Sequence, residues 1–232
     1  MTLLSDLINL LFPKMCMACN TLLLQNEEIL CTTCRSKLSF TNQHLHQDNL
    51  ASQKFYGRIN IEHASCLLFF KKRTGVQNIL HNLKYKNHPE ISYYLGMIYA
   101  EQLKQTSLLH RIDSIIMVPL HPSKQRKRGY NQVSGFAQAI HEVYGIPIEE
   151  NLLIKTKKTK AQANKKLFDR LKKTTKPQFV LNPKATTKSQ HFLLIDDILT
   201  TGNTLEQCAK ELLKLPNSKV TILCLAMTTE SF

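Results

Sequence analysis

The chain has 232 residues, 43% of them hydrophobic, enough for one sizeable domain with a small appendage. Its formal net charge of +14 favours polyanionic partners: nucleic acid, an anionic membrane face or phosphorylated substrates. No stretch reaches the roughly 18 apolar residues of a bilayer-spanning helix, which excludes that class. At the N-terminus, apolar residues at 3, 4, 7, 8 and 11 follow helical spacing. The segment lacks a basic leader and a small-residue cleavage site, so it does not read as a signal peptide. Docking on the protein's own core and resting on a membrane surface both stay open for it. Nothing directs export, so the expected location is the cytoplasm, with peripheral contact at the inner face of the membrane kept open.

Four of the seven cysteines form two pairs, Cys16/Cys19 and Cys31/Cys34, with eleven residues between the pairs. Each Cys-x-x-Cys turns two thiolates toward one metal. Two such knuckles complete a tetrahedral four-sulfur site, the closed arrangement of structural zinc. A redox pair is the rival reading, but redox motifs rarely come as two spaced couples in a cytosolic protein. Leu22, Leu23 and Leu24 are expected to form a short hairpin with Ile29 and Leu30. Cys66, Cys208 and Cys224 lie in apolar contexts and read as buried small hydrophobes.

Residues 41–54 are polar and read as a linker, with His44 and His46 solvated because four cysteines already satisfy a zinc ion. The expected units are therefore residues 1–45, holding the helix and the knuckles, and residues 55–232. In the second unit, strands are expected at 64–70, 115–118, 151–154, 179–181, 192–195 and 220–225. Helices are expected at 75–83, 90–103 and 134–144, and around Leu205, Cys208, Ala209, Leu212 and Leu213. This alternation predicts an α/β fold, a mostly parallel sheet with helices on both faces.

Three segments of this unit carry basic groups. Lys84 and Tyr85 either approach a bound phosphate or simply close a helix with a favourable cation. Residues 118–132 follow a strand and so lie at the carboxyl edge of the sheet, where ligands bind in α/β folds. Lys124, Arg126, Lys127 and Arg128 supply charge there, and Gly129 permits a turn. Residues 155–176 hold ten basic residues and one acid, Asp169. That segment can close over a pyrophosphate or track a nucleic-acid backbone. Phe168 is its only aromatic residue, so base stacking there is poorly supported.

The most informative stretch is 192–205. A buried strand over 192–195 is followed by Asp196 and Asp197, and then by Thr200, Thr201, Gly202, Asn203 and Thr204, which open a helix. A strand, a glycine turn and a helix N-terminus make a phosphate cradle of backbone N–H groups and helix dipole. Carboxylates repel phosphate, so the two acids suit sugar hydroxyls or a divalent metal. The stretch reads as a sugar-phosphate site.

This stretch resembles the phosphoribosyl pyrophosphate (PRPP) motif of type I phosphoribosyltransferases. The resemblance implies that Asp196 and Asp197, the candidate catalytic residues, hold the ribose hydroxyls. Thr200, Thr201, Gly202, Asn203 and Thr204 then bind the 5′-phosphate. In order along the chain stand the double Cys-x-x-Cys, Leu83-Lys84-Tyr85-Lys86, Val118-Pro119-Leu120-His121, Lys127-Arg128-Gly129-Tyr130-Asn131-Gln132 and the PRPP motif. Together they resemble the ComF family of competence-associated, phosphoribosyltransferase-like proteins over nearly the whole chain. That resemblance implies a type I phosphoribosyltransferase-like sheet preceded by a small four-cysteine zinc module. It implies a pyrophosphate loop at Val118, Pro119, Leu120 and His121, with Arg128 nearby and Mg²⁺ assisting. It also makes 155–176 the mobile loop of the superfamily. Thr159, Gln162 and Arg170 match the pattern common in relatives, whereas Lys155 and Lys173 depart from it. Lys157, Lys158, Lys160, Gln162, Lys165, Lys166 and Arg170 are the loop residues expected to meet pyrophosphate or DNA.

Two functions follow from the resemblance. In one, the protein handles incoming single-stranded DNA during uptake, alongside DNA-uptake machinery, and carries a PRPP site. In the other, it is a salvage-type transferase that displaces pyrophosphate from PRPP onto an acceptor the sequence does not identify. Type I enzymes choose the acceptor with a hood built from terminal segments. Here the chain ends just after its final strand, so the N-terminal module is expected to supply or replace that hood.

Overall fold

A computed structural model describes residues 13–120, 129–156 and 178–229. Four parallel strands form its central sheet: β1 (His63–Phe70), β2 (Ser114–Met117), β5 (His191–Leu199) and β6 (Lys219–Thr228), in the order β1-β6-β5-β2. A separate antiparallel pair joins β3 (Leu153–Lys155) to β4 (Phe179–Leu181), with Lys155 opposite Phe179. The helices are α1 (Thr32–Ser36), α2 (Leu50–Gln53), α3 (Gly75–Tyr85), α4 (Glu90–Leu103), α5 (Ser134–Tyr144) and α6 (Asn203–Leu212). The expected α/β fold with a mostly parallel sheet is borne out.

The helices form where apolar residues recur at helical spacing. In α3 the buried residues include Val76, Ile79, Leu80 and Leu83, and in α6 Leu205, Cys208, Ala209 and Leu212. Both sets repeat as i, i+3, i+4, i+7 and make one apolar stripe. Helix α5 stops at Gly145, whose left-handed backbone (φ 70°) lets its N–H donate to the His141 carbonyl at 2.8 Å. Helices α4 and α5 pack backbone to backbone: a Cβ on Gly135 would lie 2.5 Å from Ser92 Oγ.

Strand alternation divides the core in two. Leu193 and Ile195 of β5 join Leu223 and Leu225 of β6 in a core completed by α3, α4 and α5. Phe192 and Leu194 join Val220, Ile222 and Cys224 on the opposite face, under α6 and Phe55. Helices thus cover both faces, as parallel sheets require. Cys66, Cys208 and Cys224 are fully buried in the second core, as expected.

Three expectations need correction. Residues 41–54 are not a linker. They fold into a 3₁₀ turn (Gln43–Leu45) and α2, and Gln43, His44, Asn49 and Ser52 are buried. Their polar side chains satisfy backbone instead of water: Asn49 caps α2 through Ala51 and Ser52 N–H, and Gln43 Oε1 accepts from Cys66 N–H at 3.1 Å. His44 is therefore not solvated. It lies edge-on to Tyr99, and neither it nor His63 has a hydrogen-bond partner among the described residues. Burial lowers both imidazoles, His63 to about 4.

Secondly, Leu22 to Leu24 do not pair with Ile29 and Leu30. Leu22 bridges Met15 instead, while Leu22 and Leu24 stay exposed and Ile29 and Leu30 enter the core. Thirdly, β5 runs on to Leu199, so Asp196 and Asp197 lie within the strand and not beyond its end.

Candidate functional site

The four paired cysteines converge. The sulfurs of Cys16, Cys19, Cys31 and Cys34 all lie within 4.8 Å of one another, and Cys19 and Cys31 Sγ are 3.8 Å apart. A tetrahedron with Zn–S bonds of about 2.3 Å has edges of about 3.8 Å, so the cage fits zinc. Backbone N–H groups already point at the sulfurs: Cys31 N–H donates to Cys16 Sγ at 3.3 Å and Cys34 N–H to Cys31 Sγ at 3.4 Å. The Thr21 hydroxyl and N–H draw the Cys19 thiol down to about 6, whereas burial and the neighbouring sulfurs push the Cys34 thiol up, so it is the geometry of the cage that points to a metal. The module is seated on α3, where Asn78 and Asn82 side chains donate to the Ala18 and Met17 carbonyls at 2.7 and 2.9 Å. Cys16, Ala18 and Leu30 belong to the same core as α3 and α4.

The second constellation lies at the carboxyl edge of the sheet. In β5, Asp196 pairs in register with Cys224, and strand alternation turns Asp196 and Asp197 to opposite faces. Asp197 meets Lys84 from the end of α3, with Nζ 3.2 Å from Oδ2. Lys84 lies both in the last turn of α3 and against Asp197, while Tyr85 is exposed. Asp196 faces the α6 side. Burial, then the charge of Asp197, pushes its carboxyl up to about 7, while the Asp197 N–H, Lys84 and Lys155 pull the other way. Lys155 stands over the Phe179 ring, 4.7 Å from its centre.

Beyond β5 the chain turns at Gly202, whose φ of 78° is left-handed, and Asn203 opens α6. A Cβ at Gly202 would come within 3.0 Å of the Phe55 ring, so backbone conformation and packing both call for glycine. A small pocket of about 40 Å³ is lined by Asp196, Ile198 and residues 200–205. Thr200, Thr201, Asn203 and Thr204 are exposed, open to an incoming ligand.

The segment 118–120 leaves the sheet beside Asp196, because Val118 N–H donates to the Ile195 carbonyl at 3.0 Å. Val118 itself is buried, while Pro119 and Leu120 are half-buried and line a cleft of about 430 Å³ with Tyr130, Asn131 and Lys155. The Gly129–Gln132 stretch ties this edge together: Tyr130 donates to the Leu83 carbonyl at 2.5 Å and Asn131 to the Val118 carbonyl at 3.2 Å. His121 and Arg128 lie outside the described residues, as do Lys157, Lys158, Lys160, Gln162, Lys165, Lys166 and Arg170 and the amphipathic segment 1–12. The two ends of that basic segment are held together, with Thr156 N–H donating to the Gln178 carbonyl at 2.9 Å.

Sequence reading missed Arg58. Its guanidinium donates to the carbonyls of Thr201 (2.7 Å) and Lys54 (2.9 Å) and to Asn203 Oδ1 (2.5 Å), and it pairs with Glu206. No local pattern marks it, since its partners in the turn lie more than 140 residues away.

Comparison with known proteins adds three findings. A family model described as a double zinc ribbon domain matches residues 7–45. The chain is 28% identical over 155 residues to competence protein F of Haemophilus influenzae, covering 64% of this chain and 66% of that protein. It is 27% identical over 154 residues to the DNA utilization protein YhgH of Salmonella typhimurium, covering 65% and 66%. It is also 29% identical over 118 residues to competence protein ComFC of Streptococcus pneumoniae, covering 51% and 50%. Among solved structures it is similar to a purine phosphoribosyltransferase from Pyrococcus horikoshii (20% identity, TM-score 0.37, covering 60% of this chain and 78% of that one). A glutamine PRPP amidotransferase from B. subtilis is similar at 14% identity and TM-score 0.41, covering 62% and 30%. Among the described residues, no helix is long and apolar enough to cross a membrane.

Proposed function

We propose that this chain, a ComF-family protein with a phosphoribosyltransferase-like domain and a zinc ribbon, binds PRPP with Mg²⁺ and handles incoming single-stranded DNA during uptake. One observation carries the PRPP reading: two half-buried carboxylates and a left-handed glycine turn into a helix N-terminus share one edge of a parallel sheet. Asp196 and Asp197 accept hydrogen bonds from the ribose hydroxyls. The threonine hydroxyls and backbone N–H groups of 200–204 take the 5′-phosphate. Residues 118–121 and Arg128 take the pyrophosphate. Residues 1–45 then form the zinc-bearing unit and 55–232 the phosphate-handling domain.

The donor set suits Mg²⁺. Hard carboxylate oxygens are present, and that ion is commonly held by one or two carboxylates together with substrate phosphates. Among the described residues the cysteines are the only metal-ready cluster of three or more groups, so the remaining ligands come from PRPP and water. When bound, Mg²⁺ neutralises pyrophosphate charge. Lys84 Nζ stands 3.2 Å from Asp197 Oδ2, and a hydroxyl or cation at Asp196 would favour the charged form that burial disfavours.

The DNA reading rests on the names of the relatives and the net charge of +14. It places the protein in the cytoplasm, at the inner face of the membrane beside the uptake machinery. The test is calorimetry of PRPP with Mg²⁺ on zinc-loaded protein, with and without single-stranded DNA, at two salt concentrations. Saturable PRPP binding and DNA affinity that falls steeply with salt are expected. No heat from millimolar PRPP would sink the ribose and phosphate assignments. A salvage-type transferase is the second reading, favoured by the cleft of about 430 Å³ beside Pro119, which can admit an acceptor. Pyrophosphate release dependent on one base supports it.

A further inference from the structure

We infer that Arg58 is a positioning residue for the phosphate turn, acting both by aiming its amides and by masking the charge of Glu206. The inference rests on the PRPP reading of residues 200–204. A trans peptide points its N–H opposite its C=O, and no cis bond occurs among the described residues. By holding the Thr201 carbonyl, Arg58 therefore turns the Gly202 N–H the other way, toward the small pocket lined by 200–205. Its second bond, to Asn203 Oδ1, ties down the side chain of the first residue of α6. Phe55, one helical turn before Arg58, packs against Gly202 from the same segment.

The second role is electrostatic. Glu206 lies in the first turn of α6, and its charge opposes any phosphate at that helix end. Lys210, at 2.6 Å, and then Arg58 hold Glu206 below the usual carboxylate range, so both cations are spent on this acid. Lys210 lies a further turn along the helix and is more than half exposed, which leaves Arg58 as the cation between Glu206 and the turn.

The test is a double-mutant cycle read by calorimetry with ribose 5-phosphate, which carries the 5′-phosphate but no pyrophosphate. Wild-type protein must bind it saturably; if it does not, the PRPP reading fails first and the Arg58 variants are not needed. Given wild-type binding, Arg58→Ala is expected to weaken affinity by about tenfold or more. Adding Glu206→Gln to Arg58→Ala should restore about threefold, with Glu206→Gln alone as the fourth corner. Equal affinity of wild type and Arg58→Ala overturns the inference while leaving the phosphate site in place. A double variant no better than Arg58→Ala overturns the masking role. Should Arg58→Ala not fold, Arg58→Lys keeps the charge but lacks the planar fork, and it is expected to lose about threefold. Unchanged affinity in Arg58→Lys rules out the aiming role.

Discussion

The zinc ribbon and the carboxyl edge of the sheet are built on opposite plans. The ribbon takes all four ligands from residues 16–34, in two knuckles that the chain brings together within one short loop. The sheet edge takes Lys84 from α3, Val118 to Leu120 from the end of β2, Lys155 from β3, the two acids from β5 and the turn into α6. Arg58 comes from the segment after α2. A site local in sequence organises itself once the metal binds, whereas a distributed site exists only when the whole sheet is formed. The two are nevertheless joined, because α3 carries the ribbon on one flank and Lys84 in its last turn.

The largest test of that comparison is Cys16→Ser. It should abolish zinc retention and lower the melting midpoint by roughly 10 °C, about 3 kcal/mol or more. Because Cys16 shares a core with α3, the loss should reach the sheet. A variant that loses zinc and melts like wild type would separate the two regions. Next, Asp196→Asn combined with Asp197→Asn should weaken PRPP binding by about 100-fold or more with the fold intact. Unchanged affinity, with native far-ultraviolet dichroism, would remove the acids from the site.

Gly202→Ala is expected to cost roughly 1–3 kcal/mol and to weaken phosphate binding, since its φ of 78° is left-handed and a Cβ would press on Phe55. A melting midpoint within a degree of wild type argues that the turn adapts. Asp196 gives a pH signature. Its pKa rises from 3.8 to about 7 on folding, so its contribution to stability is full below 3.8 and is lost as pH climbs through 7. Asp196→Asn should therefore raise the melting midpoint at pH 8 by roughly 4 °C and leave it little changed at pH 4. Equal gains at both pH values would contradict the burial of that carboxylate. The smallest effect is expected from Lys84→Met. It strips Asp197 of its partner and should cost about 1 kcal/mol, read in urea as a lower midpoint with unchanged slope.

Sequence by itself determined the ribbon, the parallel architecture and the glycine turn into α6, because each is written in short-range spacing. Two Cys-x-x-Cys pairs, apolar runs alternating with helical stripes, and a glycine before a helix start need only neighbouring residues to be recognised. Tertiary structure decided the rest. Residues 41–54 look like a linker because they are polar, yet their amides and hydroxyls are consumed by backbone partners inside the fold. Asp196 and Asp197 look like the end of a strand because charge interrupts the apolar run, yet pairing with β6 carries the ladder on to Leu199. Lys84 and Arg58 reach the site from helices and loops distant in the chain. Their roles rest on ion pairs and hydrogen bonds that only the completed packing brings within reach.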